Sequence, residues 1–141
     1  MDMVFVDTWA WLALALRRDE HHEAAKRIHI ELTAAGRLNV TTDYVLSEPI
    51  TNLFRVLPFD QASAFVSAVL SGVQSQRYRL EGVSPNRFEA AWRLRCKYAD
   101  KPGVSFTDFT SFEVMRELGI QDVFSRDAHF AQVNLGFRLL A

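Results

Sequence analysis

Met3-Val4-Phe5-Val6-Asp7, followed at once by Thr8-Trp9-Ala10-Trp11-Leu12, is the stretch from which the rest of the chain is read. Its unbroken apolar run predicts a strand covered on both faces. The run ends in a carboxylate, and the Ala/Leu-rich stretch from Thr8 to Leu16 predicts a short buried helix directly after it. In open α/β sheets, ligands sit outside the carboxyl ends of strands, where strands give way to helices. Asp7 therefore stands in the right kind of place for chemistry. Taken alone it is also a favoured helix N-cap, which is the commoner role for such a residue. What matters is whether other acids reach the same edge.

Outward from that stretch, the pattern alternates between helix and strand. A second helix is predicted from His21 to Ala35, with Ala24, Ala25, Ile28, Leu32 and Ala35 on one face and Gly36 at its C-terminal cap. Leu38 to Thr41 is a short strand, and Thr42-Asp43 caps a third helix whose apolar side carries Leu46, Ile50, Leu53, Phe54 and Leu57. Pro58 ends it. The fourth helix, Asp60 to Gln74, has Ala62, Phe65, Val66, Val69, Leu70 and Val73 in register. Arg77 to Glu81 alternates as a strand, and Ser84-Pro85 starts a fifth helix that runs to Ala99. A turn at Asp100-Lys101-Pro102-Gly103 precedes a sixth helix that opens at Thr107-Asp108 and stops before Gly119. Val123-Phe124 and Phe137 to Leu140 are two last short strands, joined by a turn of helix from Ala128 to Gln132. This alternation predicts a three-layer α/β/α sandwich on a mainly parallel, roughly five-stranded sheet. Residues 1–141 form one domain, with no repeat, low-complexity segment or linker.

Composition narrows the function classes. At 49% hydrophobic and 23% charged residues, the chain is globular rather than disordered. No apolar run is long enough to span a bilayer and no signal core follows a basic segment, so a cytoplasmic location is expected. The formal net charge of −1 excludes a protein that holds nucleic acid by its overall field alone. Binding to a polyanion would need local arginines, lysines and a bound cation. Cys96 is the sole cysteine, so it forms no internal disulfide; it lies in an amphipathic stretch and is expected to be a buried, inert thiol.

Asp7 has three candidate companions. Asp108 lies in Ser105-Phe106-Thr107-Asp108-Phe109 at a helix start, where an acid also suits the helix dipole. Asp127, in Phe124-Ser125-Arg126-Asp127-Ala128-His129-Phe130, follows an apolar strand as Asp7 does. Glu48 sits within the third helix on a stripe with Tyr44, Asn52 and Arg55, which is usually a solvated face. Pro49 beside it places Glu48 at a kink, or lets the regular helix start only near Ser47. Jointly the acids say more than any one of them. Crowded carboxylates repel, and a hard cation with oxygen ligands relieves the repulsion, which suits Mg²⁺ or Mn²⁺ and phosphoryl chemistry.

The segments Val4-Phe5-Val6-Asp7-Thr8, Leu46-Ser47-Glu48, Val104-Ser105-Phe106-Thr107-Asp108 and Phe124-Ser125-Arg126-Asp127-Ala128-His129-Phe130 resemble the acidic motifs of PIN-domain ribonucleases. Gly136-Phe137-Arg138-Leu139-Leu140 resembles that family's last strand, and order and length are similar to the VapC-type toxins of toxin–antitoxin pairs. The resemblance covers essentially the whole chain. It implies an Mg²⁺- or Mn²⁺-dependent endoribonuclease with an acidic quartet of Asp7, Glu48, Asp108 and Asp127. Asp7 and Asp108 would be the direct metal ligands, with Glu48 and Asp127 binding through water or orienting the attacking water. The hydroxyls of Thr8, Thr107 and Ser125 would position substrate or water, with Asn52, Arg55 and Arg126 as further substrate contacts. A homodimer and a cognate antitoxin covering the acidic edge are also implied. This chain departs from the pattern at Ser125, where many relatives carry Thr, and at Pro49.

Of the remaining residues, His21 and His22 are expected to be solvated at a helix start, and Trp9, Trp11 and Phe112 to be core; His129, close to Asp127, is a candidate substrate contact but is expected to be packed or exposed. Arg17, Arg18, Arg55, Arg95, Lys97, Lys101 and Arg126 are the cations available to meet phosphates near the acidic edge, although each taken singly reads as an ordinary surface charge; Asp100 is a candidate extra acid that fits turn chemistry better. Two rival functions remain. One is aspartyl-phosphate chemistry with Asp7 as nucleophile, weakened by Trp9 two residues on and by the lack of any lysine after Lys101. The other is an acidic domain that binds RNA or protein without cutting.

Overall fold

The strand before Asp7 is the central strand of a wholly parallel five-stranded sheet. The computed structural model describes residues 2–141. In chain order the elements are β1 (Met3–Val6), α1 (Thr8–Ala15), α2 (His22–Ala34), β2 (Leu38–Thr42), α3 (Asp43–Val56), α4 (Phe59–Gln74), β3 (Tyr78–Glu81), α5 (Pro85–Lys97), α6 (Phe106–Leu118), β4 (Asp122–Phe124), α7 (His129–Gln132) and β5 (Arg138–Leu140). The expected sandwich on a five-stranded sheet is what forms, and the sheet is parallel throughout.

The chain steps from β1 to β2 and β3 on one side, then returns to lay β4 and β5 on the other. Right-handed crossovers then put α1 to α4 over one face and α5 to α7 over the opposite face. The reversal between β1 and β4 opens a crevice at their carboxyl ends, the usual place for a ligand in such sheets. Phe5 pairs with Val40 on one side and Val123 on the other, and all three are fully buried. Beneath α1, the Trp11 indole donates to Thr41 Oγ1 (3.2 Å), whose hydroxyl donates to Val6 O (3.0 Å). On the other face Phe109, Phe112 and Phe130 pack edge to face at 5.5 and 5.1 Å. Asp122, at the amino end of β4, is buried between Arg138 (2.7 Å) and Arg37 (2.9 Å), which staple the far end of the sheet.

Local chemistry sets the boundaries. The hydroxyls of Thr42, Ser84 and Ser105 accept the backbone N–H three residues on, and so cap α3, α5 and α6. Gly36 takes φ +70° after α2, and the Arg37 N–H reaches back to Leu32 O, closing that helix.

Three expectations are corrected. Cys96 is exposed, because α5 fully buries only Ala91 and Leu94 and turns Phe88, Trp92 and Cys96 outward. Trp9 is half-buried rather than core, since α1 is apolar all round and buries Ala10, Trp11 and Ala13 instead. On α3, Leu46 and Leu53 are buried, but Ile50 and Phe54 lie at the exposed edge of the apolar side.

Candidate active site

A cleft of about 510 Å³ opens at the carboxyl edge of the sheet, between the ends of β1 and β4. Asp7, Glu48, Asp108 and Asp127 all line it, with Thr8, Trp9, Leu12, His21, Ser105, Thr107, Arg126 and His129. Four segments far apart in sequence thus bring their acids to one place.

Asp7 occupies the N-cap position of α1 but makes no capping hydrogen bond with its side chain. Its Oδ2 instead accepts the Ser125 hydroxyl at 3.0 Å. The carboxylate is 3% exposed. Burial, then the charge of Asp108, pushes its pKa from 3.8 up to about 7, against the pull of the Thr8 amide and Ser125 hydroxyl. Asp108 is at the third position of α6, where its N–H donates to Ser105 Oγ at 3.1 Å. Burial and then Asp127 raise its pKa, and His129 opposes them. Asp127 is held by its own turn. Its N–H donates to Ser125 Oγ (3.0 Å) and its Oδ1 accepts the His129 N–H (2.9 Å), which starts α7.

Glu48 is exposed and faces this cleft. α3 starts at Asp43 and runs through Pro49 without a break, so the delayed start near Ser47 is not realised. Proline has no N–H to give the carbonyl four residues before it. That carbonyl, Val45 O, accepts the Thr8 hydroxyl instead, at 3.3 Å. Pro49 itself is buried. The missing helix bond becomes a tie between α3 and the residue next to Asp7.

The other predicted contacts divide. Thr107 and Arg126 line the cleft. Thr8 also lines it, but its hydroxyl is committed to Val45 O. Ser125 is fully buried, with its hydroxyl shared between Asp7 and Asp127, so it sets the acids rather than facing a substrate. Asn52 and Arg55 are not among the cleft residues, because α3 carries them one and two turns farther from the edge.

Five lining residues, Trp9, Leu12, His21, Ser105 and His129, lie outside the predicted set. His129 Nδ1 lies 3.1 Å from both Asp108 Oδ2 and Asp127 Oδ1, so it is neither merely packed nor solvated. His21 is half-buried against Trp9, with ring centroids 5.6 Å apart. His22, also expected in solvent, bonds Ala13 O through Nδ1 at 2.8 Å. For His129 the available signal was its position two residues after Asp127; for Trp9 it was the same distance from Asp7. Nothing local marked His21.

The donor set fits a hard divalent cation. Asp108, Asp127 and His129 offer ligand atoms within 4.8 Å of one another, and the buried Asp7 beside them has no cationic partner among the described residues. A buried carboxyl pushed toward neutrality is what such a group does when no positive charge compensates it.

A family model described as PIN domain matches residues 4–135. The 23S rRNA-specific endonuclease VapC20 of Mycobacterium tuberculosis, from two strains, is 36% identical over 129 residues, covering 92% of this chain and 92% of the relative. The crystal structure of Mycobacterium tuberculosis VapC20, described as a sarcin–ricin loop cleaving toxin, superposes with a TM-score of 0.77 at 34% identity, covering 93% of this chain and 95% of that one. VapBC2 from Rickettsia felis, bound to a promoter DNA fragment, gives a TM-score of 0.72 at 14% identity over 98% of this chain and 97% of that one. DNA-bound VapBC from Salmonella typhimurium gives 0.71 at 17%, over 99% and 98%. These last two establish likeness of fold.

Proposed function

The chain belongs to the PIN-domain family, and from that premise we propose that it is an endoribonuclease using Mg²⁺ or Mn²⁺ at the acidic corner of the cleft. The observation that carries the reading is the convergence of Asp7, Glu48, Asp108 and Asp127 on one cleft at the switch point of the sheet. Asp7 and Asp108 would hold the cation directly, on rigid supports at a strand end and a helix start. When bound, the cation supplies Lewis-acid polarisation of the phosphodiester and offsets the carboxylate repulsion. Asp127 and Glu48, the more accessible acids, orient the attacking water and accept its proton. Ser125 keeps Asp7 and Asp127 in register. His129 bridges Asp108 and Asp127 through Nδ1.

The relative VapC20 is named for 23S rRNA, which makes ribosomal RNA the substrate to try first. The same resemblance supports a cognate antitoxin, a homodimer and a cytoplasmic site of action. Apolar side chains along α3 and α4, with Phe54 and Phe59 in contact at 5.2 Å and Phe59 76% exposed, offer such a partner a surface. No helix among the described residues is long and apolar enough to cross a membrane. Aspartyl-phosphate chemistry is disfavoured, because no lysine lines the cleft.

The test is cleavage of 23S rRNA by the purified protein with Mn²⁺ or Mg²⁺. EDTA and Asp108→Asn should each abolish it, with a loss of at least about a hundredfold for loss of a metal ligand. Undiminished cleavage by Asp108→Asn would reject the assignment, and RNA binding indifferent to EDTA without any cleavage would favour a binding domain.

A further inference from the structure

Trp9, His21 and Arg126 lie on one flank of the cleft, beside the acids and outside the metal chemistry. Trp9 is a large aromatic left half-buried at a polar site. Its indole meets Phe124 edge-on, with centroids 6.2 Å apart and planes at 67°, and meets His21 at 53°. Neither neighbour stacks face to face with it, so indole surface remains open to the cleft. Arg126 is exposed and is the one arginine or lysine among the cleft residues. It makes no ion pair with a carboxylate among the described residues, although acids crowd nearby. It is nonetheless held, because its Nη1 donates to His21 Nδ1 at 2.8 Å. That bond requires a lone pair on Nδ1. The opposite ring nitrogen, Nε2, lies 3.3 Å from Glu20 Oε1, which favours the tautomer with hydrogen on Nε2. The His21 backbone is pinned in turn by Asp19, whose Oδ1 accepts the His21 N–H at 2.7 Å. The turn before α2 thus aims a guanidinium with no anion of its own at the mouth of an acidic cleft.

Resting on the nuclease reading, we propose that Trp9 and Arg126 form a nucleotide subsite for an unpaired residue of the RNA, buttressed by His21. An unstacked base lies on the open indole surface, and the adjoining phosphate takes the guanidinium. Unpaired bases stack on aromatic side chains whatever their identity, whereas bases within a duplex are already stacked on their neighbours. The subsite therefore selects loops over helices and brings a backbone phosphate beside the acids. It also gives a chain of net charge −1 a local cation for the RNA backbone beside the acids.

The experiment uses a fluorescein-labelled RNA hairpin with an unpaired loop and a fully paired duplex of matching length. Binding is read by anisotropy in EDTA, and cleavage is read separately with Mn²⁺. The wild type should prefer the hairpin. Trp9→Ala should weaken hairpin binding about tenfold, with Trp9→Phe restoring most of it. Arg126→Gln should lower the slope of log K against log salt by about 0.7, as for one lost single-strand phosphate contact. In cleavage, Trp9→Ala should raise KM with kcat little changed. Arg126 is exposed, so its variant tests the subsite even if Trp9→Ala fails to fold. Wild-type cleavage with unaltered binding and KM in Trp9→Phe, Trp9→Ala and Arg126→Gln overturns the subsite and leaves the nuclease standing. Trp9-dependent hairpin binding with no cleavage supports the subsite and overturns the nuclease. Absence of wild-type hairpin binding overturns the subsite outright.

Discussion

Replacing Asp7 by Asn should stabilise the metal-free protein while removing its activity. In the unfolded chain Asp7 ionises near 3.8, and in the folded protein near 7. Because the folded value is the higher, the folded state binds the extra proton between these pH values, so stability falls as pH rises from about 4 to about 7 and then levels. At about 1.4 kcal/mol per pH unit, the ionised Asp7 costs the fold roughly 4 kcal/mol at pH 8. Asn keeps an oxygen to accept from Ser125 but brings an N–H₂ group that needs a partner, which returns about 1–3 kcal/mol of the gain. A net stabilisation of roughly 2 kcal/mol follows, or about 5–10 °C in Tm for a domain of this size. Urea unfolding in EDTA at pH 8 measures it. At pH 4.5 only about 1 kcal/mol of that cost remains, no more than the Asn penalty, so the advantage of the variant should vanish or reverse. Mn²⁺ should reverse the ranking: at a hundred times its Kd it adds about 2.7 kcal/mol to the wild type and little to the variant. A variant less stable than wild type at pH 8 without metal, or a gap of equal size at pH 4.5, would refute the account of Asp7 as an uncompensated buried charge.

Two other substitutions probe the supports of the site and of the sheet. Ser125→Ala removes the hydroxyl that lowers the Asp7 pKa and caps the Asp127 N–H, so in the stability–pH profile measured in EDTA the fall attributed to Asp7 should extend to higher pH. Stability should drop by about 1–2 kcal/mol, and Ser125→Thr should behave nearly as wild type. An unmoved profile would show that the hydroxyl does not tune Asp7. At the far end of the sheet, Arg138 and then Arg37 hold the Asp122 carboxyl below its usual 3.8. A depressed folded pKa contributes stability above the unfolded value and loses it as pH falls through the folded one. Asp122→Asn should therefore cost roughly 2 kcal/mol near neutrality, and the difference should fade in acid on denaturant titration.

Much of the fold was legible because its signals are local. Val4-Phe5-Val6 carries no polar break, Ser84-Pro85 announces a helix start, and Gly36 closes a helix with a positive φ. These are properties of a residue and its near neighbours, and the alternation of strand and helix then restricts the chain to a parallel sheet. Burial on surface helices was less legible. α5 has an apolar stripe that pattern alone assigns to the core, yet only its Ala91 and Leu94 side is covered, which leaves Cys96 in solvent.

Asp7 followed the strand that the sequence marked out, and its candidate partners Asp108 and Asp127 stood at comparable junctions. The sequence alone determined that carboxylates would stand at element ends, because apolar periodicity and capping rules place those ends. Only the tertiary structure decided what the carboxylates meet. It brought Ser125 to Asp7 across 118 positions and stood His129 between Asp108 and Asp127. It turned the carbonyl orphaned by Pro49 toward Thr8 and swung His21 onto Arg126, 105 positions away. The physical reason is one of range. Helix and strand formation are settled within a few residues, whereas a pKa near 7, a tautomer or an unpaired guanidinium depends on groups that become neighbours only when the sheet is assembled.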